Sequence, residues 1–340
     1  MPRPIIIDTD PGIDDAVAIL LALASPELEV LGITAVAGNV ALPATFRNAR
    51  AIVELAGRDD IGVFAGCPGP LSPGSARLGD AHGDGGLGDL ALPEPASPPR
   101  PEHGVFLLIE TLRQGAPQSI TMCALGPLTN IATALVMAPN IAPAIAELVV
   151  MGGGTRGNMT PAAEFNIHCD PQAAALVFAS GLPITLVPLD VTETVRSTPE
   201  RIAPIAALAT RCGAAAAALL GPRRSLGRPP MAMHDACVIA YLLAPELFGG
   251  RQVNVAIETR SPLTEGMTVI DWRGRTGRPA NATVLETADA DGIYRLIAER
   301  RHLGAFPQPF GKTVLDLGDR AGLHPVAAHF DDHRVFSRQA

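Results

Sequence analysis

The feature that most constrains this chain is an alternation. Short apolar runs bounded by glycine, proline or polar residues are followed, repeatedly, by longer segments with helical spacing. Residues 5–10 read as a buried strand, 13–24 as a helix stopped by Ser25-Pro26, 28–37 as a strand and 43–55 as a helix. Strands continue at 61–65, 119–124, 147–151 and 184–188, and helices at 104–115, 128–138 and 171–180. A short strand buried on both faces and followed by a helix is the repeating unit of a helix-covered parallel sheet. The expected fold is therefore α/β: a single domain over 1–340, with a mainly parallel central β-sheet flanked by helices. Open sheets of this kind bind ligands at the carboxyl ends of their strands. After 191 the rhythm loosens. An Ala-rich helix is expected over 201–220, a Pro-Arg loop over 221–230, and a helix from near His234 to Leu243. Short strands at 253–257, 267–270 and 282–285, a helix at 290–301 and a turn-rich tail from 304 follow.

Composition narrows the function classes. The 26 basic and 34 acidic residues leave a net charge of −8, and only one lysine, Lys312, is present. A diffuse acidic surface argues against a nucleic-acid partner, whose phosphates require basic patches. The five cysteines are odd in number, widely spaced and free of any CxxC. Reduced, mostly buried thiols are expected. The amino terminus lacks signal-peptide order, and no run of about 20 apolar residues suits a bilayer. The expectation is a cytoplasmic protein with no membrane partner.

The densest chemistry is Asp8-Thr9-Asp10-Pro11-Gly12-Ile13-Asp14-Asp15. Strand alternation puts Asp8 and Asp10 on one face, and Asp14 and Asp15 open the next helix. Helix capping accounts for one such aspartate. Four within eight residues repel one another, and a hard divalent cation held by oxygen ligands would offset that cost. His234-Asp235 at a helix start reads as a cap or as one more metal carboxylate. The segment from Gly157 through Asn158, Glu164, Phe165 and Asn166 reads as a polar loop or as a contact surface for a polyhydroxylated ligand. Gly83-Asp84-Gly85-Gly86-Leu87-Gly88 matches a dinucleotide-binding fingerprint only literally, because no strand precedes it.

These blocks resemble the nucleoside hydrolase family, the inosine-uridine type of nucleoside N-ribohydrolase. The resemblance rests on the Asp8–Asp15 block, Ala37-Gly38-Asn39, His82-Gly83 with Gly86-Leu87, and Leu125-Gly126-Pro127-Leu128-Thr129-Asn130. The 157–166 segment, Met233-His234-Asp235-Ala236-Cys237 and Gly266-Met267-Thr268-Val269 extend it, in family order, across roughly 5–285.

The resemblance implies hydrolysis of the N-glycosidic bond of ribonucleosides to ribose and free base, in nucleoside salvage. It implies a homo-oligomer, dimer or tetramer, and a bound Ca²⁺ held by Asp10, Asp15, the Leu125 carbonyl and Asp235. Asp14, Asn39, Asn158, Glu164 and Asn166 match ribose-binding positions, and Phe165 and His82 lie near sugar and base in the family. Asp10 is then the base that takes a proton from the attacking water, and His234 the group that assists the departing base, with His82 a possible helper. One departure stands out. Residues 201–233 contain no aromatic side chain and offer Arg223, Arg224 and Arg228 instead, so no base preference transfers. Two other readings stay open: a Mg²⁺-dependent phosphohydrolase built on Asp8 and Asp10, and a non-catalytic nucleoside or ribose binder.

Overall fold

Ten strands are present among the described residues: β1 (Arg3–Thr9), β2 (Leu28–Ala35), β3 (Val63–Ala65), β4 (Ile120–Ala124), β5 (Ile145–Met151), β6 (Ile184–Val187), β7 (Phe248–Val253), β8 (Val255–Ile257), β9 (Thr268–Ile270) and β10 (Ala282–Ala288). The computed structural model describes residues 1–72, 77–221 and 232–300, all within one compact unit. Eight strands form the main sheet in the order β3-β2-β1-β4-β5-β6-β10-β7. Neighbours run parallel except for β7, which pairs antiparallel with β10 at one edge. β8 and β9 form a separate antiparallel pair.

The helices are α1 (Ile13–Leu23), α2 (Leu42–Leu55), α3 (Gly104–Gln114), α4 (Thr129–Met137), α5 (Phe165–Cys169), α6 (Pro171–Phe178), α7 (Leu189–Thr192), α8 (Pro199–Ala206), α9 (Arg211–Leu220), α10 (Ala236–Leu243) and α11 (Ala290–Glu299). The pleat of β1 sorts them into two layers. Ile5 and Ile7 pack with α1, α2, α9, α10 and α11, whereas Ile6 packs with α3, α4 and α6. All three isoleucines are completely buried. Each is worth about 1.5–3 kcal/mol by burial alone, and the polar residues of the strand, Arg3, Asp8 and Thr9, stand at its two ends. None of the described helices is long and apolar enough to cross a membrane.

The topology also locates the site. The chain leaves β1 in one direction through β2 and β3, then returns to pair β4 on the other side of β1. That reversal opens a crevice beyond the carboxyl ends of β1 and β4, where residues 8–15 and 125–130 meet.

Two expectations need correction. The 201–220 helix is two helices, α8 and α9. The Thr210 side chain accepts from the Gly213 N–H and so starts a new helix inside an Ala-rich stretch. The 253–257 strand divides at Asn254, with Val253 ending β7 in the main sheet and Val255 opening β8. β7 itself carries a Gly249-Gly250 pair that breaks apolar alternation, so its edge position left little trace in the pattern. Most of the 221–230 loop, with Arg223, Arg224 and Arg228, and the tail from 304 lie outside the described residues.

Candidate active site

The site begins with a turn that β1 cannot avoid. After Thr9, Pro11 and Gly12 redirect the chain into α1, whose first turn carries Asp14 and Asp15. Asp15 serves the helix first: its Oδ2 accepts from the Gly12 N–H at 2.9 Å, satisfying a donor that the helix leaves orphaned. It also accepts from Thr9 Oγ1 at 2.6 Å and Asn39 Nδ2 at 3.1 Å. Three donors on one buried carboxylate fix its geometry.

Asp10 sits just past the strand. Its Oδ2 accepts from the Asn39 main-chain N–H at 2.7 Å, and Asn39 Nδ2 reaches back to the Asp10 carbonyl at 3.1 Å. The carboxylate is wedged between two glycines. A Cβ at Gly38 would lie 2.1 Å from Oδ2, and one at Gly126 would lie 2.4 Å from Oδ1. Glycine is required at both positions for close approach, not for φ. Asp10 Oδ1 is buried and has no hydrogen-bond partner among the described residues.

Asp14, Asp15 and Asp235 each contribute an oxygen to a group whose atoms lie within 4.8 Å of one another, all buried. Asp10 is not one of that trio. Burial, then the Asp15 charge, pushes Asp10 well above the usual carboxylate range. Burial, then the charges of Asp14, Asp15 and Asp10, does the same to Asp235. Asp15 is raised by burial and by Asp14. Burial works on Asp14 in the same direction, but neighbouring His82 and His234 and main-chain donors outweigh it and hold Asp14 low. An all-oxygen set, an orphaned buried oxygen and mutually repelling carboxylates suit a hard divalent cation.

The remaining candidates close the crevice. His82 accepts from the Ile13 N–H at Nδ1, 2.9 Å away. His234 donates its main-chain N–H to Asp14 Oδ2 at 3.2 Å, and its Nδ1 lies 2.7 Å from Thr192 Oγ1. Burial lowers the His234 pKa. Asn166 Nδ2 donates to the Leu125 carbonyl at 2.7 Å, so the two stand in contact. Glu164 caps α5: its carboxylate accepts from Asn166, Ile167 and Gly153 main-chain N–H groups. Burial pushes it to about 7 against those donors. Asn158 is exposed and buttresses the segment by accepting from the Phe165 N–H at 2.9 Å. Phe165 is half-buried, with its ring beside Gly79.

Asp8 departs from the alternation argument. It shares the face of Ile6 and points into the α4 layer, where its Oδ1 accepts from Thr34 Oγ1 and from Asn130 Nδ2. It is fully buried, a strut between β1, β2 and α4 rather than a partner of the trio. The literal dinucleotide fingerprint at 83–88 forms turns, without strand or helix. Thr9, Gly38 and Gly126 lie inside the sequence blocks that carry the resemblance, which assigned them no role, whereas Thr192 carries no local signal at all.

The family described as inosine-uridine preferring nucleoside hydrolase matches residues 5–295. An uncharacterised protein of Schizosaccharomyces pombe is 46% identical over 310 residues, covering 89% of this chain and 99% of that one. A pyrimidine-specific ribonucleoside hydrolase of Shewanella sp. is 44% identical over 306 residues, covering 88% of this chain and 96% of its own length. Among solved structures, a purine-preferring ribonucleoside hydrolase from Gardnerella vaginalis superposes with a TM-score of 0.80 at 30% identity, covering 88% and 98% of the two chains.

Proposed function

Because the chain belongs to the inosine-uridine preferring nucleoside hydrolase family, we propose that it hydrolyses the N-glycosidic bond of ribonucleosides, with pyrimidine ribonucleosides as preferred substrates. The observation that carries this reading is the convergence of Asp14, Asp15 and Asp235 beside Asp10 at the sheet's reversal point. The pyrimidine preference is supported by relatives at 42–44% identity that bear the description pyrimidine-specific. The purine-preferring neighbour is only 30% identical.

Asp10, Asp15, the Leu125 carbonyl and Asp235 would hold Ca²⁺, and Asp14 lies close enough to adjoin that set. Bound there, the ion would supply a positive centre for ribose hydroxyls and for an attacking water. Asp10 takes that water's proton, its carboxylate held in place by the Asn39 main-chain N–H. Its Oδ1, without a hydrogen-bond partner among the described residues, is the oxygen available for that proton. Asp14, Asn39, Asn158, Glu164 and Asn166 orient the sugar. As the base departs, the ribosyl centre gains positive charge, and the surrounding carboxylates stabilise it. His234 assists the leaving base, with His82 beside it. A homo-oligomer, dimer or tetramer, in the cytoplasm and a single domain over 1–340 complete the reading.

The test is ribose release from uridine, cytidine, inosine, adenosine and guanosine by calcium-loaded protein. Uridine and cytidine should lead. Equal or faster turnover of inosine and guanosine would contradict the pyrimidine preference, and no release from any of the five would contradict the activity.

A further inference from the structure

The short helix α7 follows β6 directly at the carboxyl end of the sheet and ends on Thr192, which is fully buried. Its hydroxyl lies 2.7 Å from His234 Nδ1. Either group could in principle be the donor. Among the described residues Thr192 Oγ1 has no other hydrogen-bond partner. Thr194, two residues on, behaves differently and gives its hydroxyl proton to the Val191 main-chain carbonyl. If the His234 ring donated to Thr192, the threonine proton would be buried without an acceptor among the described residues, an arrangement that burial penalises. The threonine must therefore be the donor, and a neutral His234 ring carries its proton on Nε2.

His82 reaches the same state by another route. The Ile13 main-chain N–H can only donate, so His82 Nδ1 is an acceptor and its neutral ring is also protonated on Nε2. Both histidines adjoin Asp14: His82 Nδ1 is 3.9 Å from Asp14 Oδ1, and the main-chain N–H of His234 donates to Oδ2. The His82 tautomer is set by backbone. That of His234 is set by a single replaceable side chain.

We infer that Thr192 is a positioning residue, which locks His234 in the Nε2–H tautomer so that the ring presents a hydrogen-bond donor to the departing base. The inference rests on the assignment of His234 to the leaving-group side of the reaction. Second partners of this kind fix ring tautomer and orientation at other histidine sites.

Two readouts test it. Long-range ¹H–¹⁵N correlation spectra of the wild-type imidazoles, with His234 assigned by its loss in His234→Gln, should show Nε2 protonated and Nδ1 bare. In steady-state kinetics, Thr192→Val should lower kcat about tenfold with KM changed less than about twofold, and Thr192→Ser should restore most of it. A wild-type ring protonated on Nδ1 would overturn the inference. So would a Thr192→Val enzyme with wild-type kcat, or a Thr192→Ser enzyme as slow as Thr192→Val. If Thr192→Val does not fold, the wild-type spectrum still decides the tautomer. A wild-type protein with the expected tautomer but no ribose release would overturn the hydrolase reading and the catalytic role of Thr192 with it, leaving only the hydrogen bond.

Discussion

At the scale of single residues, Asp10 shows how much of a site is made by what is missing around it. Gly38 and Gly126 leave room on both flanks of its carboxylate, and a methyl group at either would land within 2.4 Å of an oxygen. Gly38→Ala should therefore displace Asp10 and lower kcat about 10²-fold, the scale at which a 1 Å misplacement acts, while the protein stays folded by circular dichroism. A Gly38→Ala enzyme with unchanged kcat would remove the wedge argument. Asp8 gives a prediction of another kind. Burial pushes it to about 7 against the pull of Thr34 and Asn130. Its folded pKa is thus raised above that of the unfolded chain. Between roughly pH 4 and pH 7 the native state holds a proton that the unfolded chain has lost, so stability falls as pH rises through that window. Asp8→Asn cannot titrate, and denaturant melts of the chelator-treated protein should show a smaller decline from pH 5 to pH 8 than wild type.

At the scale of elements, the short helices carry polar residues that do two jobs. Glu164 caps α5, and Asp170 caps α6 by accepting from the Ala173 N–H. Asp170 also accepts from the Leu71 N–H and from Thr129 Oγ1, both at 2.8 Å. It thereby ties the long loop after β3 to α4 and α6. Removing it leaves two buried donors, Thr129 Oγ1 and the Ala173 N–H, and the part-buried Leu71 N–H without their acceptor. Asp170→Ala should cost about 2 kcal/mol or more, read as a lower midpoint in urea with an unchanged m-value; a midpoint equal to wild type would contradict the strut. Legibility divides along the same line. The β1–α1 unit was readable because its apolar spacing, turn residues and carboxylates are contiguous. α5 was not, because five residues inside a polar segment give no period. Its helix depends on the Glu164 cap and on Asn166 meeting the Leu125 carbonyl 41 residues away. Thr192 and His234 meet only after 42 residues of chain, a separation that sequence pattern cannot report.

At the scale of the whole molecule, the parallel sheet and its two helix layers were readable from strand–helix alternation, and the topology then explains why the carboxylates converge. The antiparallel edge strand β7 and the β8–β9 pair were less so, since their placement is decided by neighbours in the sheet. Asp10, Asp14, Asp15 and Asp235 are concentrated in one buried place, and their mutual repulsion is what the proposed metal ion would offset. Chelation should therefore lower the melting temperature, and added Ca²⁺ should restore it, rising with the logarithm of its concentration above Kd, as native-state binding requires. Asp235→Asn should shrink that shift. A melting temperature indifferent to chelator and to Ca²⁺ would contradict the proposed metal site. The most direct test of the central claim is ribose released from uridine by wild type and Asp10→Ala, side by side in the same Ca²⁺ buffer. The account predicts release by wild type and a loss of about 10²-fold or more in Asp10→Ala. Equal rates from the two proteins would contradict it.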